Sequence, residues 1–214
     1  MTKPHFAYPI MLDLAGQRAV VVGGGRVALR KAQALADAGA EVCVVAPDLA
    51  PAFADDPRLA CVAAAYAAER LDGAAVVIAA TDDEAVNAQV AADARVGGVL
   101  VNVVDRPALC DFLVPAQMVR GDLLIAVSTG GAAPSLSRRL RERLETEFGP
   151  EYETLLAALR QVRDRVKSQG LPPDVRRRIF ERLTEDDILA AAREGRDALD
   201  RAIDAALAQV RRER

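Results

Sequence analysis

The apolar residues of this chain come in short, dense runs rather than in alternation. Ala19-Val20-Val21-Val22 closes on Gly23, and a β-branched run bounded by glycine reads as a fully buried strand of a parallel sheet, over residues 18–23. Directly after it Val27, Ala28, Ala32, Leu35 and Ala36 return at helical spacing, which predicts a helix over 27–38 with Gly39 as its stop. Strands are predicted again at 41–46, 59–63, 75–79 and 99–103. A helix over 82–94 separates the last two, with Thr81 or Asp82 as its N-cap. Strand, helix, strand repeats of this kind define an α/β protein with a doubly wound parallel sheet.

The texture changes beyond Phe112. One more strand-like run covers 123–127, then a Gly-Gly loop leads into a helix over 134–147 that opens on Pro134. After Pro150 the pattern is helical throughout, broken at Gly170-Leu171-Pro172-Pro173 and near Gly195, so three or four helices are expected without a sheet. The expected organisation is a parallel-sheet domain over 1–112, a small α+β segment over 113–149 and a C-terminal helical domain over 150–214.

Composition narrows the function classes. With 214 residues, 51% of them hydrophobic, the chain can bury a sizeable core, and 4% aromatics without tryptophan favour helices and buried strands over a sandwich. A net charge of -3 gives no overall basic field, so nucleic acid is not an expected partner. There is no charged start followed by an apolar core and cleavage site, and no run of about 18 apolar residues. The expected protein is therefore neither exported nor membrane-bound, with the cytoplasm as its compartment. Three cysteines lie far apart and His5 is the sole histidine, a pattern without zinc-type spacing, so no metal centre is expected. Cys43 and Cys61 read as small buried hydrophobes in strands. Arg176-Arg177-Arg178 is most simply a solvated helix face, with contact to an anion as the other reading.

The first candidate chemistry lies where the first strand meets the first helix. Gly23-Gly24-Gly25-Arg26-Val27-Ala28 matches Gly-x-Gly-x-x-Ala in strand-turn-helix context. Gly23 permits the tight turn, Gly25 lets backbone approach a pyrophosphate, and Ala28 lets the helix pack close to the strand. The free N–H groups at that helix start, with the helix dipole behind them, favour the phosphates of a dinucleotide. Gly23, Gly24, Gly25, Arg26 and Val27 are thus candidate cofactor contacts, with Thr81 at a later strand end. Pro47 and Asp48 close the second strand, where a carboxylate on the ribose hydroxyls favours NAD over NADP. Asp48 either makes that bond or begins a turn, and Arg26 is placed to pair with a 2′-phosphate.

These stretches carry a resemblance. Tyr8-Pro9-Ile10-Met11-Leu12-Asp13-Leu14 through the glycine turn to Leu29-Arg30-Lys31 resembles the precorrin-2 dehydrogenase family, which includes the N-terminal part of siroheme synthase. So do Ala79-Ala80-Thr81-Asp82-Asp83 with Val86-Asn87, Val101-Asn102-Val103-Val104-Asp105 and Phe112-Leu113-Val114-Pro115-Ala116. The segment from Ile125 through Ser128-Thr129-Gly130-Gly131 to Pro134, followed by Leu140-Arg141-Glu142, is similar to the family's Ser-Ser-Gly-Gly-x-x-Pro region, with Thr129 in place of a frequent serine. The likeness is specific over about residues 8 to 148 and general in the helical tail.

The resemblance implies a Rossmann-type domain, a central dimerisation segment and a helical domain in a homodimer, with NAD-dependent removal of two electrons from precorrin-2 to give sirohydrochlorin. Some members also insert ferrous iron. The chain's end at Arg214 leaves no methyltransferase, so separate methyltransferase and chelatase partners are expected. Asp105, at the carboxyl end of the fifth strand, matches the family's catalytic aspartate; from the residues alone a turn before Pro107 explains it equally well. The substrate's carboxylates call for cationic or hydrogen-bonding partners, for which Arg106, Arg120, Arg138 and Arg139 are candidates, with the N–H groups of Ser128, Thr129, Gly130 and Gly131. Two other readings remain from the residues: a dehydrogenase of another small substrate, which commonly uses a histidine base, and a non-catalytic NAD(H) sensor. A metal-delivery role for His5 is a further expectation.

Overall fold

The computed structural model describes residues 8–212, with the side chain of Arg211 excepted; His5 lies outside them. The chain forms two compact units, Tyr8–Val114 and a second from Pro115 onward.

In the first unit five strands, β1 (Arg18–Val22), β2 (Glu41–Ala46), β3 (Leu59–Ala63), β4 (Ala74–Ala79) and β5 (Leu100–Val103), form one sheet in the order β3-β2-β1-β4-β5. Every neighbouring pair is parallel. Two helices connect them, α1 (Arg26–Asp37) and α2 (Glu84–Gly97). Val20 and Val22 pack with Val77, Val90, Ala91 and Val101 on one side of the sheet. Val21, Val44 and Ile78 pack with Ala28, Ala32 and Leu35 on the other. Burial on both faces is the physical reason these strands are continuous apolar runs. The strand order reverses direction between β1 and β4, and ligands of such Rossmann-type sheets bind outside the carboxyl ends of the strands at that point.

The second unit opens with an antiparallel hairpin of β6 (Ala116–Arg120) and β7 (Leu123–Val127), followed by α3 (Pro134–Glu147). Four helices complete it: α4 (Glu151–Ser168), α5 (Pro173–Arg182), α6 (Asp186–Glu194) and α7 (Arg196–Arg212). They share a core in which Val162, Ile179, Leu183, Ile188, Leu199 and Ile203 are buried together.

Several expectations are corrected. The N-cap of α2 is Asp83, whose carboxylate accepts from Ala85 N–H at 2.8 Å and Val86 N–H at 3.2 Å; Thr81 and Asp82 precede it, because Thr81 is engaged with Asn87. Cys61 is exposed, since β3 is an edge strand, while Cys43 is buried. Strand β6 escaped the pattern because Met118 alone of its residues is buried. The tail has a break between α5 and α6 without glycine or proline, held by the Thr184 hydroxyl donating to the Glu181 carbonyl at 2.8 Å. No described helix is long and apolar enough to cross a membrane, and no described group of three or more His, Cys, Asp or Glu is arranged to hold a metal ion.

Candidate dinucleotide and catalytic site

The glycine turn is dictated by close backbone approach. Gly23 has φ 137 and donates to the Val45 carbonyl at 3.0 Å, and a β-carbon there would strike the Ala80 carbonyl. At Gly24 a β-carbon would collide with the Asp48 carbonyl, and the Gly24 carbonyl accepts from Ala50 N–H at 2.9 Å. The ends of β1, β2 and β4 are thereby drawn together at the switch point. Gly25 differs: a β-carbon there meets nothing within 4 Å, so its outer side is open. Gly25 is also the N-cap of α1, without a side-chain cap and without an acidic residue in the first turn. Gly25, Arg26 and Val27 are exposed. An open turn whose helix N–H groups have no side-chain partner is the donor set that a dinucleotide pyrophosphate needs, so the residues present fit NAD. Pro47 and Asp48 are exposed at the end of β2 beside this turn, and the segment they open is tied to it by the Ala50 N–H bond to the Gly24 carbonyl.

Thr81 follows β4 and is part of a local brace. Its hydroxyl lies 2.9 Å from Asn87 Oδ1 and 3.0 Å from the Asp83 carbonyl, and Asn87 Nδ2 donates to the Thr81 carbonyl at 2.9 Å. Asn87 is buried. It is a site residue that sequence reasoning did not single out, although it stood in the stretch carrying the family resemblance.

Asp105 sits two residues past the end of β5 with φ 58, in the left-handed region, alone among the described non-glycine residues. Aspartate tolerates that conformation better than most side chains, and such positions cluster at functional sites. It is exposed and lines a cleft of about 460 Å³ with Glu84, Asn87, Arg106 and Leu109. Arg106 pairs with Glu84 across this cleft. Among the described residues the Asp105 carboxylate makes no hydrogen bond or ion pair, which leaves it available to a ligand.

The loop carrying Asp105 is tied back to its strand by Cys110. The sulfur accepts from Val103 N–H at 3.1 Å and from Asn102 Nδ2 at 3.5 Å, and its S–H points to the Val103 carbonyl at 3.2 Å or the Arg106 carbonyl at 3.4 Å. Buried Asn102 also donates to the Phe112 carbonyl at 2.9 Å. The local hydrogen bonding expected of Asn102 thus has a definite object, the return of the chain beneath Asp105. Lys31 on α1 is a second residue missed by sequence reasoning. Its ammonium is held below the ordinary lysine range, first by burial and then by Arg30, while the Asp105 carboxylate acts in the opposite direction. Asp105 and α1 are therefore within electrostatic reach of each other.

The remaining candidates belong to the second unit. Arg120 on β6 donates to the Glu145 carbonyl at 3.4 Å and to the Val119 carbonyl at 3.0 Å. In the loop between β7 and α3, Gly130 N–H donates to Ser128 Oγ and Ala133 N–H to Thr129 Oγ1, each at 3.2 Å. The Thr129 and Ser137 hydroxyls are 3.1 Å apart. Gly130 and Gly131 both have positive φ with open space around them, and Arg138 and Arg139 are exposed on α3.

Comparison with known proteins agrees with this arrangement. Residues 10–116 match the NAD(P)-binding family model, and residues 120–147 match the model described as sirohaem biosynthesis protein central. The siroheme synthase of Azotobacter vinelandii is 48% identical over 176 residues, 80% of this chain and 38% of that protein. The siroheme synthase of Methylococcus capsulatus is 43% identical over 211 residues, 96% of this chain and 44% of that protein. The chain thus spans about two fifths of the length of the curated relatives it matches. Among solved structures, SirC, a precorrin-2 dehydrogenase, superposes with a TM-score of 0.74 at 27% identity, covering 92% of this chain and 98% of that one. The chain belongs to the NAD(P)-binding family matched over residues 10–116, and within it stands with the siroheme synthases and precorrin-2 dehydrogenase.

Proposed function

We propose that this protein is an NAD-dependent oxidoreductase that dehydrogenates precorrin-2 to sirohydrochlorin, working as a cytoplasmic homodimer. The observation that carries the reading is the left-handed Asp105, its carboxylate without a hydrogen bond or ion pair among the described residues, on a cleft in the same unit as an open glycine turn. SirC, matched over nearly its whole length, supports the choice of substrate.

NAD, when bound, supplies the two-electron acceptor. The turn at Gly23, Gly24 and Gly25 and the first N–H groups of α1 hold its pyrophosphate, with Arg26 and Val27 beside it. Asp48 takes the ribose hydroxyls, and Pro47 and Thr81 border the site. Asp105 accepts the proton that leaves the substrate carbon. Lys31 keeps a cation near that carboxylate. Arg106, Arg120 and Arg138, with the backbone of Ser128, Thr129, Gly130 and Gly131, are assigned to the substrate's carboxylates. The central segment 113–149 is assigned to dimerisation. On its hairpin Val119 and Leu124 stand opposite each other, 45% and 38% exposed, as an apolar pair on one face.

The test is anaerobic: precorrin-2 and NAD are mixed with the protein, and NADH is followed together with the sirohydrochlorin spectrum. Both should rise in step, and absence of NADH overturns the assignment. Asp105→Asn should reduce turnover by a factor on the order of 10²–10⁴ with NAD affinity within twofold of the parent. Ferrous iron added after turnover reads out metal insertion separately.

A further inference from the structure

We propose that the cleft between α4 and α5, in the helical part of the second unit, is a binding site for a small polyanion carrying two or more carboxylate or phosphate groups. Arg163, Lys167, Arg176 and Arg177 line it with Phe180, and Glu181 is its one acidic group. Its volume of about 530 Å³ lies in the range of small-ligand sites. In a chain of net charge -3, this concentrates positive charge in one concavity.

Several arginines of these helices are paired, while others, Arg178 and Arg201 among them, have no carboxylate partner among the described residues. Arg160, Arg165, Arg182, Arg193 and Arg196 each meet a carboxylate, on Asp122, Asp204, Asp187, Glu151 and Asp200. Among the cations of the cleft, Arg177 meets Glu181 at 3.8 Å. Arg163, Lys167 and Arg176 have no carboxylate partner among the described residues. Arg176 Nε is moreover buried and without a hydrogen-bond partner. A buried donor of that kind is normally satisfied, and an acceptor entering the cleft would satisfy it. The Arg163 guanidinium lies 5.5 Å from the Phe180 ring centre, which holds its plane in place while leaving N–H groups for an oxyanion. Three cations without a carboxylate partner along one open cleft match a ligand with several negative groups better than a single halide.

Isothermal titration with citrate and with pyrophosphate tests this, using the full chain in low salt with NAD saturating so that the glycine turn is filled. The expected result is saturable one-to-one binding of at least one of the two with Kd below about 1 mM, weakening as salt rises. The tighter of the two identifies the oxyanion. Arg163→Gln with Arg176→Gln should weaken it at least tenfold, and Lys167→Gln, at an exposed position that leaves the core intact, at least threefold. Amide shifts confined to α4 and α5 would support the location. No saturable binding, or binding unchanged in Lys167→Gln and the double variant, overturns the proposal.

Discussion

Asp105 is useful only if its carboxylate stays where the left-handed backbone puts it, and the Cys110 sulfur is the group that ties its loop to Val103, Asn102 and Arg106. Cys110→Ala removes those bonds and should lower kcat about tenfold with NAD affinity unchanged, whereas Cys110→Ser, which keeps a donor and acceptor, should recover most of it. Equal kcat in Cys110→Ala and the parent would remove the positioning role. The carboxylate was legible in the sequence because it ends an apolar strand within a recognisable motif. The bonds of the thiol were not, since they go mostly to backbone groups whose approach depends on how residues 104–109 turn. Lys31 was hidden for a related reason: its relation to Asp105 is made through space between α1 and the end of β5, which no local spacing encodes.

At the level of elements, β1, β2, β4 and β5 followed from periodicity, because strands buried on both faces leave no ambiguity of pattern. Element ends followed less well. Asp83 caps α2 although Thr81 and Asp82 precede it, since Asn87 binds the Thr81 turn and leaves Asp83 to face the open N–H groups. Replacing Asp83 with alanine should cost about 1 kcal/mol in chemical denaturation, and Asp82→Ala much less. A second link joins β3 to α1: Arg58 donates to Asp56 at 2.9 and 2.7 Å and to Asp37 at 2.8 Å. The Arg58 hydrogen bond holds the Asp56 carboxyl below the ordinary range. A depressed carboxyl pKa in the folded state stabilises it above the unfolded pKa, and that contribution is lost as pH falls through the folded value. Arg58→Leu should therefore move the acid-unfolding midpoint to higher pH while leaving the difference from the parent constant above neutrality; an unmoved midpoint would refute the link.

For the whole molecule, the change of texture near Phe112 was visible in the sequence, whose pattern divides into three parts at 112 and 149, whereas the apolar hairpin face was not, because β6 carries so few buried residues. If Val119 and Leu124 are the contact between copies, Val119→Asp with Leu124→Asp should turn a dimer into a monomer in sedimentation velocity; a monomeric parent would refute the dimer itself. The order of strands has a consequence for biogenesis. β1 pairs on one side with β2, which follows it closely, but on the other with β4, which comes after both β2 and β3. While the nascent polypeptide emerges, one edge of its most apolar ribbon therefore waits bare for a distant mate. A chaperone that shields such edges would be needed most in that interval.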